Sequence, residues 1–196
     1  MRMDEQNVKK STLEEENESP LQEWLYALDE DREREVQAFL DALVHTQGAD
    51  RFSLLDTLGD LTYREGEVYP EEALFVLPTL LRLLANATNP DEQFGLLAWL
   101  ALYIQACKEN SFASPRATLG IPTVKRLYQH LCEAVPLYTH YLSSSEPKIR
   151  SLAAFIFGYC TSTAVEITAI LKAVFIEEQE EVVQFAIVKS LTLLHG

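Results

Sequence analysis

The side chains that most often carry chemistry are scattered in this chain. Its histidines are His45, His130, His140 and His195. Only His130 has a possible metal ligand close by, Cys132, and residues two apart point to different sides of a helix. Gly-rich phosphate loops, the Gly-x-Ser-x-Gly elbow and the His-Glu-x-x-His pattern do not occur. We therefore expect no metal, no cofactor and no catalytic residues, that is, a protein that is not an enzyme.

Neighbouring carboxylates are the other possible source of acid or base catalysis. Glu71 and Glu72 form one such pair, and Glu177 and Glu178 form another. Both pairs stand at turns or helix starts, where capping and solubility explain them.

One cluster of basic residues interrupts the acidic character of the chain. It consists of Lys108, Arg116, Lys125 and Arg126, in and beside a segment rich in Ser, Pro, Gly and Thr. The cluster could contact an anion or an acidic peptide. Alternatively, its charges neutralise acidic neighbours or are simply solvated.

Helical periodicity is clearest between Ser145 and Gly158. Glu146 and Pro147 suit a first helical turn, because a carboxylate favours the positive end of the helix dipole and proline loses no hydrogen bond there. Apolar or small side chains then recur at the spacing of one helix face, at Ile149, Leu152, Ala153 and Ile156.

This pattern occurs two more times, from Phe94 and from Val183. Ile149 precedes Val183 by 34 residues and follows Phe94 by 55, so additional residues separate the first two copies. A period near 34 is typical of stacked helical hairpins.

The run Glu146-Pro147-x-Ile149-Arg150-x-x-Ala153-Ala154-x-x-Phe157-Gly158 resembles the second helix of a HEAT repeat, in particular the short HEAT-like repeats of the phycobilisome lyase type. The other copies have Gly95 and Gln184 where this run has Arg150. Pro78 and Pro136 resemble the kinking proline of a HEAT first helix. The resemblance covers roughly residues 70 to 196. It implies an all-α, armadillo-like fold, a right-handed α-solenoid of about four antiparallel helix pairs, without catalytic residues.

The chain divides into a leader and one helical domain. Residues 1–18 are polar and acidic, and we expect them to be disordered. Residues 19–196 form the HEAT-like solenoid, with 19–66 as a degenerate capping repeat, 70–107, 122–160 and 163–195 as repeats, and 109–122 as an inserted loop. Whether residues 20–46 form one helix or two is open, and no segment is convincing as a strand.

Composition limits the partners. Lys and Arg number 16 against 30 Asp and Glu, which gives a net charge of −14 and disfavours nonspecific nucleic-acid binding. Cys107, Cys132 and Cys160 are odd in number and lie in apolar helical patterns, which indicates buried, reduced thiols. The N-terminus has no apolar segment of a signal peptide, and no apolar run approaches the roughly 18 residues of a membrane span. We expect a cytoplasmic protein without membrane contact.

An apolar row on the second helices is the predicted binding surface. Its members point away from the packed face and line the concave side of a solenoid: Leu96, Leu100, Phe155, Tyr159, Phe185 and Lys189. Such a row would form a groove that receives a partner helix or peptide. Alternatively, neighbouring repeats bury these side chains inside the solenoid.

Three functional classes follow. The first is a noncatalytic scaffold that binds a protein or peptide on its concave face. The alternative is an acidic inhibitor or immunity-type protein that masks a basic enzyme, which would bind with a strong dependence on salt. The third, a lyase-like handler of a chromophore, is implied only by the family resemblance. The identity of the partner and the oligomeric state are open.

Overall fold

A computed structural model describes residues 30–46, 49–64, 67–109 and 121–195. The predicted leader, Arg116 and most of the predicted inserted loop lie outside these ranges. The described chain is mostly helical, as expected. Its helices are α1 (Glu30–His45), α2 (Ala49–Thr62), α3 (Pro70–Asn86), α4 (Pro90–Glu109), α5 (Ile121–Glu133), α6 (Val135–Tyr141), α7 (Pro147–Tyr159), α8 (Ala164–Glu177) and α9 (Glu181–His195).

The start signals in the sequence account for several of these boundaries. Pro70, Pro90 and Pro147 each open a helix, where a missing N–H costs nothing. Asn89 caps α4, since its side-chain oxygen accepts a hydrogen bond of 2.8 Å from the backbone N–H of Asp91. The four helices α3, α4, α7 and α9 therefore begin at or beside their predicted first residues.

Two short strands differ from the expectation that the chain contains none. β1 (Tyr63–Arg64) pairs antiparallel with β2 (Glu67–Val68). α2 ends at Thr62 because the carbonyl oxygen of Thr62 accepts the N–H of Tyr69, and Val68 is fully buried beside it. The side chain of Thr62 also accepts a 2.7 Å hydrogen bond from Tyr103 of α4, which fixes this turn to the core.

The first helix of the predicted third pair is divided in two. One helix was expected from Thr123 to Tyr141, but α5 ends at Glu133 and α6 begins at Val135. Pro136 explains the break, because it has no N–H to donate and its ring clashes with the carbonyl four residues earlier. Pro78 has a weaker effect, since α3 continues through it.

Three of the four predicted second helices pack side by side. α7 makes its most extensive contacts with α9 on one side and α4 on the other. The predicted packed face is buried in part: Leu97, Ile149, Ala153, Val183 and Ile187 are completely buried. Other members of the same face, including Phe94, Ala98, Leu102 and Leu152, are half-buried. α3 packs against α4 and α5, and α8 packs against α9.

Ion pairs join the N-terminal ends of neighbouring elements. Arg51 of α2 pairs with Glu92 of α4, and Lys148 of α7 pairs with Asp91 of α4 at 2.8 Å. Arg150 of α7 binds Glu178, just before α9, through two nitrogens at 2.8 and 2.9 Å.

The helices of the described ranges include none that alone is long and apolar enough to cross a bilayer. One pair of consecutive segments, Pro147–Tyr159 and Thr161–Glu177, is together long and apolar enough for a span, but the two segments meet at a bend of 79°.

Candidate protein-binding surface

The N-terminal half of the predicted concave row is not a surface. Leu96 and Leu100 are completely buried, so their assignment to a binding groove is wrong. The reason is that α4 is in contact with α2, α3, α5 and α7 and is surrounded by them. Trp99 of α4 shows how close α2 lies, since its indole N–H donates a 3.1 Å hydrogen bond to the carbonyl of Leu55.

Tyr159 is also wrongly assigned. Its side chain is only 7% exposed, its ring packs against Phe155 at a centroid distance of 5.0 Å, and its hydroxyl donates to Glu109 at 3.3 Å. Burial, with the nearby Glu109 carboxylate, raises the pKa of Tyr159. Tyr159 therefore belongs to the packing between the ends of α4 and α7.

The C-terminal half of the row is exposed to different degrees. Phe155 is half-buried, and the ammonium of Lys189 lies 5.6 Å from the centre of its ring, a cation–π distance. Lys189 is exposed, and Phe185 is 72% exposed. The predicted row thus becomes a surface only where it reaches α9.

Exposed apolar side chains are concentrated in the last two helices. Within the described ranges, every large hydrophobic side chain that is exposed belongs to α8 or α9, namely Val165, Phe175, Ile176, Val182, Phe185, Val188 and Leu193. Scattered exposed apolar residues are normal, whereas a contiguous apolar patch marks an interaction surface.

The exposed face of α9 corresponds, in the repeated sequence pattern, to the face of α7 that packs against α9. On α7, Arg150, Ala154 and Gly158 lie one turn apart on one side. Arg150 reaches Glu178, and a Cβ added to Gly158 would lie 2.9 Å from the Cα of Ser190, so this side packs against α9. A shift of 34 residues brings Ala154 and Gly158 to Val188 and Thr192, and brings Ser151 to Phe185.

These equivalent positions on α9 are open. Val188 is 49% exposed, Phe185 and Thr192 are exposed, and the other side of α9 is buried at Val183, Ile187, Ser190 and Leu194. We define the α9 open face as six exposed residues that share one side of the helix: Glu181, Val182, Phe185, Val188, Lys189 and Thr192.

The sequence analysis missed Val182 and Val188. The signal was present, because the 34-residue shift places Val188 at the position of Ala154. A small side chain lets two helices approach closely, whereas Val188, a branched apolar side chain on the same face of the last described helix, is left 49% exposed.

The described members of the basic cluster have different surroundings. The ammonium of Lys108 donates to the Thr161 hydroxyl at 2.7 Å and lies 5.0 Å from the centre of the Tyr128 ring. Lys125 and Arg126 are exposed on α5, and Arg126 borders a groove of about 460 Å³ between α3 and α5. Lys108 therefore has partners within the fold.

The thiols lie closer together than their positions in the sequence indicated. Cys107, Cys132 and Cys160 are free, and the last two are buried. A hydrogen bond with Cys160 lowers the pKa of Cys132, whereas burial raises the pKa of Cys107 to about 12. In the part of the chain that the structure describes, no three His, Cys, Asp or Glu side chains group closely enough to hold a metal ion.

Neither a family model, nor a curated protein, nor a solved structure matches this chain significantly.

Proposed function

We propose that this protein is a noncatalytic protein-protein interaction module of the cytoplasm, built as a right-handed HEAT-like solenoid, that binds its partner through the α9 open face. The observation that carries the proposal is the exposure of Val182, Phe185 and Val188 on one side of α9.

The packing of the second helices supports this choice of surface. α4 is in contact with four other helices and α7 is held between α4 and α9, whereas α9 has a neighbour of this kind on one side only. The α9 open face is apolar at its centre, which favours coverage by another protein.

The surface has the layout of a protein interface. An aromatic ring, Phe185, lies between two valines, and the charges of Glu181 and Lys189 flank them. An apolar centre with a polar rim is typical of interfaces, and large aromatic side chains often supply much of their binding energy. A partner helix with an apolar stripe would fit such a helical face.

The test is a pull-down with a tagged full-length chain from a lysate of the native cell. A second copy of the chain, with a different tag, is added to the lysate, and the proteins that the first copy retains are identified. Double replacement Phe185→Ser with Val188→Ser should abolish retention of the partner. It should change the free energy of unfolding by less than about 1 kcal/mol, because neither side chain is packed in a core.

The matched control is Val165→Ser with Ile176→Ser on α8, where the side chains are 88% and 80% exposed. It removes a similar amount of exposed apolar surface and should leave retention intact. Retention that survives the α9 variant would contradict the proposal. If that retention disappeared in high salt, it would instead favour an acidic inhibitor of a basic enzyme.

A further inference from the structure

We propose that the α9 open face binds a second copy of this chain, with the two α9 helices antiparallel and a twofold axis passing beside Phe185. This inference rests on the proposed function and names the protein that covers the surface.

The order of residues along α9 is symmetric about Phe185. Val182 precedes it by three residues and Val188 follows it by three, while Glu181 precedes it by four and Lys189 follows it by four. All of them lie within about 60° of the direction of Phe185 on a helix of 3.6 residues per turn. One continuous face therefore carries an apolar centre and one charge of each sign.

A twofold axis converts this symmetry into complementary contacts. In an interface between identical copies, residue i contacts residue j while j contacts i. With antiparallel helices centred on Phe185, each Val182 meets the other copy's Val188, and each Glu181 meets the other copy's Lys189. The two Phe185 rings meet at the axis.

The two charged side chains are available for this contact. Glu181 and Lys189 are both exposed, and neither forms an ion pair within the described ranges. The aromatic contact of Lys189 with Phe155 leaves its ammonium at the surface. A parallel arrangement would instead place like charges opposite each other, and like-charge contacts across an interface are unfavourable.

The same contact continues the packing inside the chain. The side of α7 that carries Ala154 and Gly158 packs against α9, and the equivalent α9 positions are Val188 and Thr192. A second α9 placed on this face therefore packs on the first α9 at the positions where α9 packs on α7. The larger side chains on α9 set a wider helix separation than the one between α7 and α9.

Sedimentation equilibrium of the full-length chain over a range of concentrations tests this proposal. Wild type should be a dimer. Glu181→Lys places lysine opposite Lys189, and Lys189→Glu places glutamate opposite Glu181, so each single variant should raise the dissociation constant by about tenfold or more. The double variant recreates both attractive pairs with their signs exchanged, and its dissociation constant should return to within about twofold of the wild-type value.

Matched charge changes on α8 serve as controls. Glu166 stands in the first turn of α8 as Glu181 does in the first turn of α9, and Lys172 is exposed. Glu166→Lys and Lys172→Glu should leave the dimer unchanged. Circular dichroism of every variant should match that of wild type.

A monomer at all concentrations overturns the proposal, and so does a dimer that the single variants do not weaken or that the double variant does not restore. Failure of this proposal can be distinguished from failure of the proposed function. If the chain is monomeric but Phe185→Ser with Val188→Ser still abolishes retention of a different protein, the second copy is the wrong partner and the surface is correct. If that variant changes neither self-association nor retention, the surface itself is wrong.

Discussion

Arg150 is the residue that most directly fastens α7 to α9. Besides its two bonds to Glu178, it donates to the carbonyl of Ser144 at 2.8 Å. Side-chain exposure is 14% for Arg150 and 6% for Glu178, so removal of the cation leaves a carboxylate nearly buried and without its charge partner. We expect Arg150→Met to lower the free energy of unfolding by about 3 kcal/mol, measured with urea at neutral pH.

Lys148→Met is the matched control for Arg150→Met. Lys148 also forms an ion pair from the first turn of α7, but its side chain is 43% exposed and that of its partner Asp91 is 74% exposed. Water screens such a pair, so the control should lower stability far less than Arg150→Met does. Equal losses for the two variants would contradict the buried character of the Arg150 pair.

The same pair predicts a dependence of stability on pH. Arg150 lowers the pKa of Glu178 from its ordinary value of 4.5. A carboxyl with a lowered folded-state pKa stabilises the fold above its unfolded pKa, and this stability is lost as the pH falls through the folded value. Unfolding free energies measured from pH 7 downward should therefore fall more steeply below about pH 4.5 for wild type than for Glu178→Gln. Identical curves would show that the carboxylate contributes nothing.

At the scale of elements, Gly158 sets the distance between α7 and α9. A Cβ at this position would lie 2.9 Å from the Cα of Ser190, and backbone yields less easily than a side chain. Gly158→Ala should therefore destabilise the protein by about 1–2 kcal/mol, because the strain of overpacking exceeds the gain of about 1 kcal/mol in helix propensity.

Gly59→Ala on α2 is the comparison for Gly158→Ala, measured by the same denaturant unfolding. Its Cβ would meet only the ring of Trp99, at 3.2 Å, and a partly buried ring has more freedom to shift than backbone has. The propensity gain should then offset the contact and leave stability nearly unchanged. Equal changes in the free energy of unfolding for the two alanine variants would contradict the close approach of α7 and α9.

The sequence predicted the helices better than it predicted their surroundings. The local signals of Pro70, Pro147 and Ile149 define a start and a buried face, and these require only the neighbouring residues. Whether Leu100 and Phe185 are exposed depends on which other helices lie beside them. The repeated apolar pattern treats the rows of α4 and α9 as equivalent, but α4 is surrounded by four helices and α9 is not.

At the scale of the whole molecule, helices in the middle of the described chain are covered by several neighbouring helices, whereas α9 has an uncovered face. In the central helix α4, Leu96, Leu97, Leu100 and Ile104 are completely buried, while α8 and α9 hold the large exposed apolar side chains of the described ranges. From the net charge of −14 we expect weak nonspecific binding to nucleic acid. The proposed protein interaction accordingly depends on the apolar face of α9.

Hydrogen–deuterium exchange tests most directly whether another protein covers α9. The chain is compared alone, in dilute solution, and in the complex, either self-associated at high concentration or bound to its retained partner. Peptides from residues 181–195 should exchange more slowly in the complex, because a covered helix opens less often, while peptides from 90–109 should not change. Protection confined to other segments, such as 121–133, with residues 181–195 unaffected, would contradict the account.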